Sequence, residues 1–436
     1  MKTFFRTVLV IAAILSVLII SPGWAASTIK VMGVGITTQT RDLLIKEFEK
    51  TNPGVKVEMD VIPWTDYYPK LLSNIRAGQY DVYYIPQLLP LTYNESYLLP
   101  LEKLAKKDPE YLKQFVQSTL QNGYRPDTKG NIHLYAVPFD TDARYLGFDK
   151  TIFDAYGVPY PKANGKFNIR DLKTIALKMT GNTTKLGQTY GLALRVSAMD
   201  YYFPAFMGSL GQPAFDYRFG SKNVYFNTPA AKETLQIMVD LVKAGAAGPE
   251  ALTGTTCPIQ FGKDQNPYAM NFMGYSEIIT NVFSNRSRFG FTALPENPKT
   301  HQCGPDLFHG WGIDKRSTNQ AEAWQWIKFT STDPAQFIVF QNINMPVVKR
   351  WNDWTITHPV LSPSKPVSIQ SISELNVVNA QFLKSIPVRV DNWAKVRSII
   401  REEVGNALAG TKTVDQALAD MQSKSIEAMN DPMWTW

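Results

Sequence analysis

The side chains that most often carry catalysis or bind metals are few in this sequence, and their spacing supports neither role. None of the histidines belongs to the H-E-x-x-H pattern that places two zinc ligands on one helix face. The serine-nucleophile pattern G-x-S-x-G is also absent. The four histidines are His133, His301, His309 and His358. We therefore predict that the chain uses no metal and no cofactor.

A glycine-containing turn near the N-terminus offers a different kind of site. Gly33-Val34-Gly35 resembles the start of the dinucleotide pattern G-x-G-x-x-G, but Thr38 stands where the third glycine is needed. We interpret the segment as a tight turn at the carboxyl end of a strand. Ligands of open α/β sheets bind just beyond such strand ends. Thr37 and Thr38 are therefore candidate hydrogen-bonding groups.

Paired acids and paired phenols suggest two further chemistries. Asp140 and Asp142 are two residues apart and could face the same way on a strand, as the two carboxylates of a glycoside hydrolase would. Adjacent tyrosines can hold ferric iron in exported binding proteins, but no His or carboxylate cluster accompanies them here. We favour the alternation of a strand, with one ring in the core and one at the surface. The pairs are Tyr67-Tyr68, Tyr83-Tyr84 and Tyr201-Tyr202.

The elements that must position these residues alternate between strands and helices. Segments 29–35, 55–62 and 80–85 have the composition and alternation of strands. Between them, apolar residues at helical spacing predict a helix that follows the cap-type residues 37–40 and a second helix over 66–77. This order predicts a parallel sheet with helices on its faces, and hence an α/β fold.

The pattern continues along the rest of the chain. Helix starts are indicated by Thr228-Pro229, by Asn319-x-x-Glu322 and by Thr413-x-x-Gln416, the last two being capping boxes. We find no internal repeat. Further predicted strands cover 133–139, 144–148 and 190–195, and a short predicted helix covers 151–156.

Length and composition limit the class of protein. The 436 residues suffice for two to four domains, and 44% hydrophobic with 19% charged residues argues against disorder. The formal net charge is +7, but Lys and Arg are scattered, without a basic run or an aromatic-interleaved basic motif. We therefore predict no nucleic-acid partner.

The first residues have the pattern of a secretory signal peptide. Lys2 and Arg6 precede an apolar run over 8–20, and small residues follow, with Gly23 and Ala25 suited to the cleavage site. We predict cleavage after Ala25 and export to the periplasm. The alternative is an N-terminal anchor helix, for which the run is short beside the roughly 20 residues that span a bilayer.

The two cysteines, Cys257 and Cys303, fit an exported protein. They are 303 − 257 = 46 positions apart, and no Cys near the cleavage site offers a lipid attachment point. We predict one disulfide between them, because exported chains with few cysteines commonly pair them. The alternative is two separate thiols.

Six segments, in this order, resemble those of the extracellular solute-binding proteins of family 1, the sugar-binding receptors of ABC importers. The resemblance covers nearly all of the chain after residue 26. The segments are residues 29–86, 133–158 (HLYAVPFDTDARYLGFDKTIFDAYGV), 268–278 (YAMNFMGYSEI), 289–298 (FGFTALPENP), 309–336 (HGWGIDKRSTNQAEAWQWIKFTSTDPAQ) and 393–418 (WAKVRSIIREEVGNALAGTKTVDQAL).

The resemblance implies a type II-like periplasmic-binding-protein fold, in which two α/β lobes are joined by hinge-crossing strands. It places residues 26–137 and 304–360 in one lobe, and residues 138–303 and 361–436 in the other. A solute would bind between the lobes.

The resemblance also implies which residues bind the solute. Trp393 and Arg397 match, at W-x-x-x-R spacing, a stacking ring and a polar partner of the family's C-terminal helix. Tyr275 or Ser276 stands where the family often has a tryptophan, a departure that leaves the stacking geometry open. For Trp393 and Trp311, burial in a core is the alternative. The remaining candidates are Trp64, Tyr84, Gln87, Asp140, Asp142, Asp200, Tyr201, Tyr202 and Trp311.

The function implied is that of a monomeric periplasmic receptor that performs no chemistry. It would bind a sugar, oligosaccharide or polyol and deliver it to an inner-membrane ABC permease. Two alternatives remain at this point: a receptor for an organic phosphate, polyamine or metal complex, and a secreted glycoside hydrolase.

Overall fold

The structure, a computed structural model, describes most of the chain after residue 26. The described ranges are 27–86, 91–142, 144–162, 166–216, 221–252, 261–282, 285–299, 305–342, 346–349, 386–387, 390 and 392–430. The predicted signal peptide, Gln87, Cys257 and Cys303 lie outside them, and Asp142 and Ser276 are described through their backbone only.

Strands and helices are intermixed along the described chain, as expected of an α/β fold. The strands are β1 Ser27–Val34, β2 Val55–Ile62, β3 Val82–Pro86, β4 Tyr124–Pro126, β5 Ile132–Leu134, β6 Val137–Asp142, β7 Arg144–Asp149, β8 Gly181–Thr183, β9 Gly187–Thr189, β10 Met270–Gly274, β11 Phe289–Ala293, β12 Pro305–Ile313 and β13 Ile386–Pro387. The helices are α1 Thr38–Thr51, α2 Trp64–Ala77, α3 Leu91–Tyr97, α4 Glu102–Ala105, α5 Gln117–Gln121, α6 Lys150–Ala155, α7 Ile169–Lys178, α8 Met199–Ser209, α9 Pro229–Lys243, α10 Tyr275–Glu277, α11 Gln320–Thr330, α12 Asp333–Asn342, α13 Trp393–Leu408 and α14 Val414–Asn430. A π-helical turn, Ile278–Val282, follows α10.

The larger sheet has the strand order β13-β12-β3-β1-β2, with β6 also paired to β12. Its β1–β2 and β1–β3 pairs are parallel, which confirms the predicted β-α-β-α-β series. β12 runs antiparallel to both β3 and β6. The smaller sheet is antiparallel, with β7 between β10 and β11.

Local capping signals account for several helix boundaries. Thr37 caps α1 by accepting a hydrogen bond from the Thr40 amide at 3.1 Å. Thr228 caps α9 in the same way, and Pro229 occupies its first turn. The reciprocal box between Thr413 and Gln416 is present, with each side chain accepting from the other's amide. These three predicted starts are confirmed.

The predicted capping box at Asn319 is wrong, although α11 begins there. The Asn319 side chain makes no capping hydrogen bond. Its amide group donates instead to the Thr28 carbonyl and to the Asp81 carboxylate, both at 3.3 Å. The side chain therefore connects the start of α11 to the edge of the larger sheet.

Two expectations about strands also need correction. Residues 190–195 make parallel bridges at Tyr190 and Ala193 rather than a continuous strand. Tyr83 and Tyr84 are both buried, at 0% and 1% exposure, instead of one facing the core and one the solvent. All five residues of β3 are buried, so both faces of this strand are covered, as in a sheet with packing on both sides.

Buried apolar residues form two separate clusters, one for each lobe. The first cluster draws on residues 29–139 and 308–348, and the second on residues 145–294 and 390–429. Both lobes are therefore built from stretches that are distant in sequence. We call them the first lobe and the second lobe, and their joint arrangement is a two-lobed α/β fold.

The chain passes between the lobes at the ends of paired strands. Phe139 belongs to the first cluster and Tyr145 to the second, so the first passage falls between them, a few residues beyond the expected boundary at 137. The return passage joins β11 of the smaller sheet to β12 of the larger. β6 and β12 are hydrogen-bonded neighbours, which brings these two passages close together.

Candidate functional site

A fully buried carboxylate lies where β6, β12 and β3 come together. Asp140 on β6 stands opposite His309 on β12. One carboxylate oxygen is 2.6 Å from His309 Nδ1, and the other accepts a hydrogen bond from the Tyr84 hydroxyl at 2.9 Å. Burying a carboxylate is costly unless it is hydrogen-bonded. The three side chains therefore form one connected polar unit within the first lobe.

An exposed tryptophan lies over this polar unit. Trp64 opens α2 and keeps 44% of its surface exposed. Its ring centre is 5.7 Å from that of His309 and 6.4 Å from that of Tyr84. The adjacent Gly35 has φ +67°, and a Cβ there would stand 2.5 Å from the indole nitrogen. The turn after β1 therefore has to be glycine for the indole to lie where it does.

The second lobe contributes a carboxylate shared by two guanidinium groups. Asp200, near the start of α8, is fully buried. It accepts from Arg397 Nε at 2.9 Å and from Arg401 Nε at 2.7 Å, both on α13. Arg397 also donates to the Tyr201 hydroxyl at 3.0 Å. These bonds tie the first turn of α8 to the N-terminal and central turns of α13.

Tyr201 lies beside two cationic groups. The guanidinium carbons of Arg144 and Arg397 are each 5.2 Å from the centre of its ring, within cation–π range. Burial raises the pKa of Tyr201, and Arg397 only partly opposes this. Burial by itself would lower the pKa of Arg397, but Tyr201 and Asp200 raise it above its ordinary value. The phenol is therefore neutral and the guanidinium charged at neutral pH.

The two lobes meet at Tyr68. This residue lies one helical turn after Trp64, so the two rings share a face of α2. Burial raises the pKa of Tyr68, and the nearby Arg397 of the second lobe lowers it in part. The Trp64–Tyr68 face of α2 is thus directed toward Tyr201 and Arg397. We call Trp64, Tyr68, His309, Tyr201 and Arg397 the interlobe site.

Comparison with known proteins identifies the family. The model of the bacterial extracellular solute-binding proteins matches residues 35–337, more than half of the chain. The chain belongs to this family.

Individual relatives of this solute-binding protein are distant in sequence. A protein of Brucella abortus that is named as a binding protein is 24% identical over 292 residues, which are 65% of this chain and 66% of its own length. The erythritol/L-threitol-binding protein of Mycolicibacterium smegmatis is 22% identical over 312 residues, 67% and 64% of the two lengths. The sequence matches thus span about two thirds of these relatives.

Structural similarity extends over nearly the whole chain. An ABC substrate-binding protein of Listeria monocytogenes, solved in complex with cycloalternan, superposes with a TM-score of 0.75 at 21% identity. The superposition covers 92% of this chain and 99% of that one. At this identity the likeness establishes the two-lobed fold of the solute-binding protein.

Six of the side chains expected from sequence belong to the two polar units of this solute-binding protein or lie directly against them. Their contacts bring them together within each lobe, and Tyr68 and Arg397 bring the lobes together. In the first lobe they are Trp64, Tyr84 and Asp140; in the second they are Asp200, Tyr201 and Arg397.

Four expected aromatic residues lie in the cores. Tyr202, Tyr275 and Trp393 belong to the second-lobe cluster, and Trp311 to the first. Trp393 is 3% exposed, with its ring 5.9 Å from Phe215 and 6.5 Å from Tyr201. Within the described residues, its indole nitrogen and that of Trp311 have no hydrogen-bond partner.

The expected threonines serve the helix start. Thr37 is exposed, and its hydroxyl oxygen caps α1. Thr38 is the first residue of α1 and is also exposed. Both follow Gly35, so they share a turn with the residue that accommodates the Trp64 indole.

Sequence reasoning missed Tyr68, His309 and Arg401. Two of them had a detectable signal, since Tyr68 follows Trp64 and Arg401 follows Arg397 by four residues on a helix. His309 had no such local signal, because its partner Asp140 is 169 positions away.

Neither a metal-binding cluster nor a membrane-spanning helix is present in the described part of the chain. No group of three or more His, Cys, Asp and Glu there is arranged to hold a metal ion. Within those same ranges, no helix is both long and apolar enough to cross a membrane.

Proposed function

We propose that this chain is the exported solute-binding receptor of an ABC importer and that it binds a sugar, oligosaccharide or polyol at the interlobe site. The observation that carries the proposal is that an exposed ring of the first lobe and planar polar groups of the second lobe lie on either side of one interlobe contact. Tyr68, one helical turn after the exposed Trp64, lies beside Tyr201 and Arg397 of the opposite lobe. A relative binds erythritol or L-threitol, and a structural neighbour holds cycloalternan.

This combination of groups suits a polyhydroxylated molecule. The C–H faces of sugars and polyols lie against aromatic rings, and their hydroxyls need donors and acceptors with fixed directions. Trp64 supplies an exposed face. Arg397 supplies guanidinium donors whose plane is held by Asp200. His309 supplies its Nε2 atom, while Asp140 holds the ring through Nδ1.

The mechanism is closure without chemistry. A solute that contacts both lobes binds the closed form more tightly than the open form and shifts the population toward it. The permease would recognise the closed receptor. We also propose that the chain is exported, that it is cleaved after Ala25, and that it is a monomer in the periplasm. The proposal also includes the lobe boundaries that the resemblance implies. With these boundaries, residues 26–137 and 304–360 form the first lobe, and residues 138–303 and 361–436 form the second.

Native mass spectrometry of the freshly purified protein tests the proposal, because a tightly held solute is carried through purification. Calorimetric titration with erythritol, D-mannitol and maltose follows, after the protein has been unfolded and refolded to remove that solute. A bound hexitol, sugar or oligosaccharide, or micromolar affinity for one of the three, is expected. A protein that carries no solute and binds none of the three would contradict the proposal.

A second candidate is an anionic solute such as an organic phosphate. Arg397 and Arg401 share the single carboxylate of Asp200, so this pairing leaves one positive charge in excess. Guanidinium groups are well suited to phosphate oxygens. Glycerol 3-phosphate and glucose 6-phosphate in the same titration distinguish the two: tighter binding of the phosphates than of their neutral parents favours this candidate.

The hydrolase alternative receives no comparable support. A retaining or inverting glycosidase needs two carboxyl groups facing the scissile bond. Asp140 is fully buried, and each of its oxygens accepts a hydrogen bond from the protein. Its partner in the predicted pair, Asp142, is described through its backbone only.

A further inference from the structure

His309 is held in a single tautomer by its neighbours. Its Nδ1 atom lies 2.6 Å from an oxygen of Asp140, and the other oxygen of that carboxylate accepts from the Tyr84 hydroxyl. An ionised carboxylate accepts hydrogen bonds and cannot donate them. The proton of the neutral imidazole therefore resides on Nδ1, and Nε2 keeps its lone pair.

Among the described residues, no protein group donates a hydrogen bond to the lone pair of Nε2. Asp140 is the one hydrogen-bond partner of the His309 ring among the described residues, and it uses Nδ1. The side chain is nine-tenths buried, with 9% of its surface exposed. Because the side chain is not fully enclosed, Nε2 can accept a hydrogen bond from a ligand or from a water molecule.

The surroundings of the imidazole indicate what that ligand is. The Trp64 ring lies 5.7 Å away at 45°, with 44% of its surface exposed. The Tyr84 ring lies 5.4 Å away on another strand and fixes the imidazole plane. A molecule resting on Trp64 would therefore lie beside the His309 ring, whose Nε2 is an acceptor.

We propose that His309 is a solute-binding residue that accepts, at Nε2, a hydrogen bond from a hydroxyl group of a sugar or polyol lying against Trp64. This inference rests on the proposed function and specifies how the first lobe recognises the solute. Asp140 and Tyr84 are positioning residues that act through His309. The site selects for a hydroxyl donor and against a deoxy, keto or ether group at that position of the solute.

Two substitutions at His309 separate a solute contact from a structural role. Asparagine places a polar group near the Nδ1 position, so His309→Asn keeps a donor to Asp140 and removes the Nε2 acceptor. Glutamine reaches toward the Nε2 position, so His309→Gln restores an acceptor there and weakens the bond to Asp140. A structural role predicts that Asn is the better replacement, whereas a solute-binding role predicts that Gln is.

Each variant is titrated calorimetrically with erythritol, D-mannitol and maltose, and native mass spectrometry records whether it still carries the solute of the wild type. We expect His309→Asn to bind about 10-fold or more weakly, as loss of one buried hydrogen bond implies, and His309→Gln to bind more tightly than His309→Asn. An affinity of His309→Asn within about twofold of wild type overturns the inference. So does a weaker affinity for Gln than for Asn.

A second measurement needs no solute. In nitrogen NMR spectra of the empty protein, the His309 signals are those absent from both variants. A proton on Nδ1 and none on Nε2 supports the inference, and a proton on Nε2 overturns it. A wild-type protein that carries no solute and binds none of the probes would contradict the proposed function itself. That result is distinct from the outcomes that overturn this inference.

Discussion

The indole nitrogen of Trp64 lies 2.5 Å from the point that a Cβ atom would occupy at Gly35. The two residues belong to different elements, the turn after β1 and the start of α2, yet each sets the position of the other. The most exposed ring of the interlobe site thus depends on a backbone conformation two elements away, and any side chain at Gly35 must displace it.

Gly35→Ala is therefore expected to weaken solute binding by about 10-fold or more, equivalent to about 1.4 kcal/mol of lost contact. Calorimetric titration with the solute identified by native mass spectrometry measures the change. Gly157→Ala is the matched control, because Gly157 has φ +63° and nothing within 4 Å of its Cβ position. Both variants incur about 1–2 kcal/mol of left-handed strain. Equal affinities in the two would show that Trp64 does not contact the solute.

Trp393 connects the second-lobe core with the interlobe site, and its truncation should affect stability. The ring is 3% exposed and packs against Phe215. Trp393→Ala is expected to lower the unfolding free energy of the empty protein by about 3–5 kcal/mol through cavity formation. Urea unfolding measures this, and titration at low temperature measures affinity. Stacking of Trp393 on the solute stays a prediction. A 10–1,000-fold drop in the affinity of Trp393→Ala, or roughly 1.4–4 kcal/mol, would support it. An unchanged affinity would refute it.

Arg397→Ala should destabilise the second lobe, because it removes one of the two cations that bind the buried Asp200. Breaking a buried ion pair costs about 3–5 kcal/mol, and the remaining Arg401 should reduce this to about 1–3 kcal/mol. The control is Arg170→Ala, whose partner Glu233 lies on the surface. There little or no loss of unfolding free energy is expected, because solvent screens an exposed ion pair. Similar unfolding free energies for the two variants would contradict the predicted role.

Buried tyrosines should make the protein sensitive to alkali. Burial raises the pKa of Tyr135 to about 12 and that of Tyr111 further above its ordinary value. In the unfolded chain both lose their protons near pH 10. Stability is therefore fully present below about pH 10 and falls as the pH rises through the folded-state pKa values, by about 1.4 kcal/mol per pH unit for each such tyrosine. Urea unfolding at intervals between about pH 8 and about pH 12 checks this, and a flat profile would refute it.

The pairing of Cys257 with Cys303 stays a prediction, since both residues lie outside the described ranges. If they are joined, denatured protein treated with an alkylating agent without reductant gains no mass. A link between residues 303 − 257 = 46 positions apart contributes roughly 3–4 kcal/mol by loop-entropy estimates. Two added labels before reduction would show separate thiols.

Elements with strong local signals were predictable from sequence. β2 matches its predicted range, 55–62, because its residues alternate between apolar and charged and its ends are marked by Gly54 and Pro63. The start of α9 at Pro229 follows from the capping residue beside it. In such segments the signal lies within a few residues of the element that it specifies.

The polar units of the interlobe site depend on contacts that no local pattern contains. Tyr84 and Asp140 are 56 positions apart, and Asp200 and Arg397 are 197 apart. The expected W-x-x-x-R pair illustrates the limit: its spacing correctly put both residues on one helix face, while the burial of Trp393 depends on α8 and on the loop that carries Phe215. Asn319 failed as a cap for the same reason, because its partner is a carboxylate on another element.

The last two helices have a consequence for how the protein is made. α13 packs against α8 and α9, and α14 packs against α13 and α9, so both complete the second-lobe core begun by residues after 144. In a growing chain, most residues of that core have been synthesised by residue 294, but the two helices that complete it are not finished until about residue 430. The second lobe therefore completes its core only near the end of translation. A chain bound for the far side of a membrane gains from this delay, because translocation in an extended state requires that folding come late.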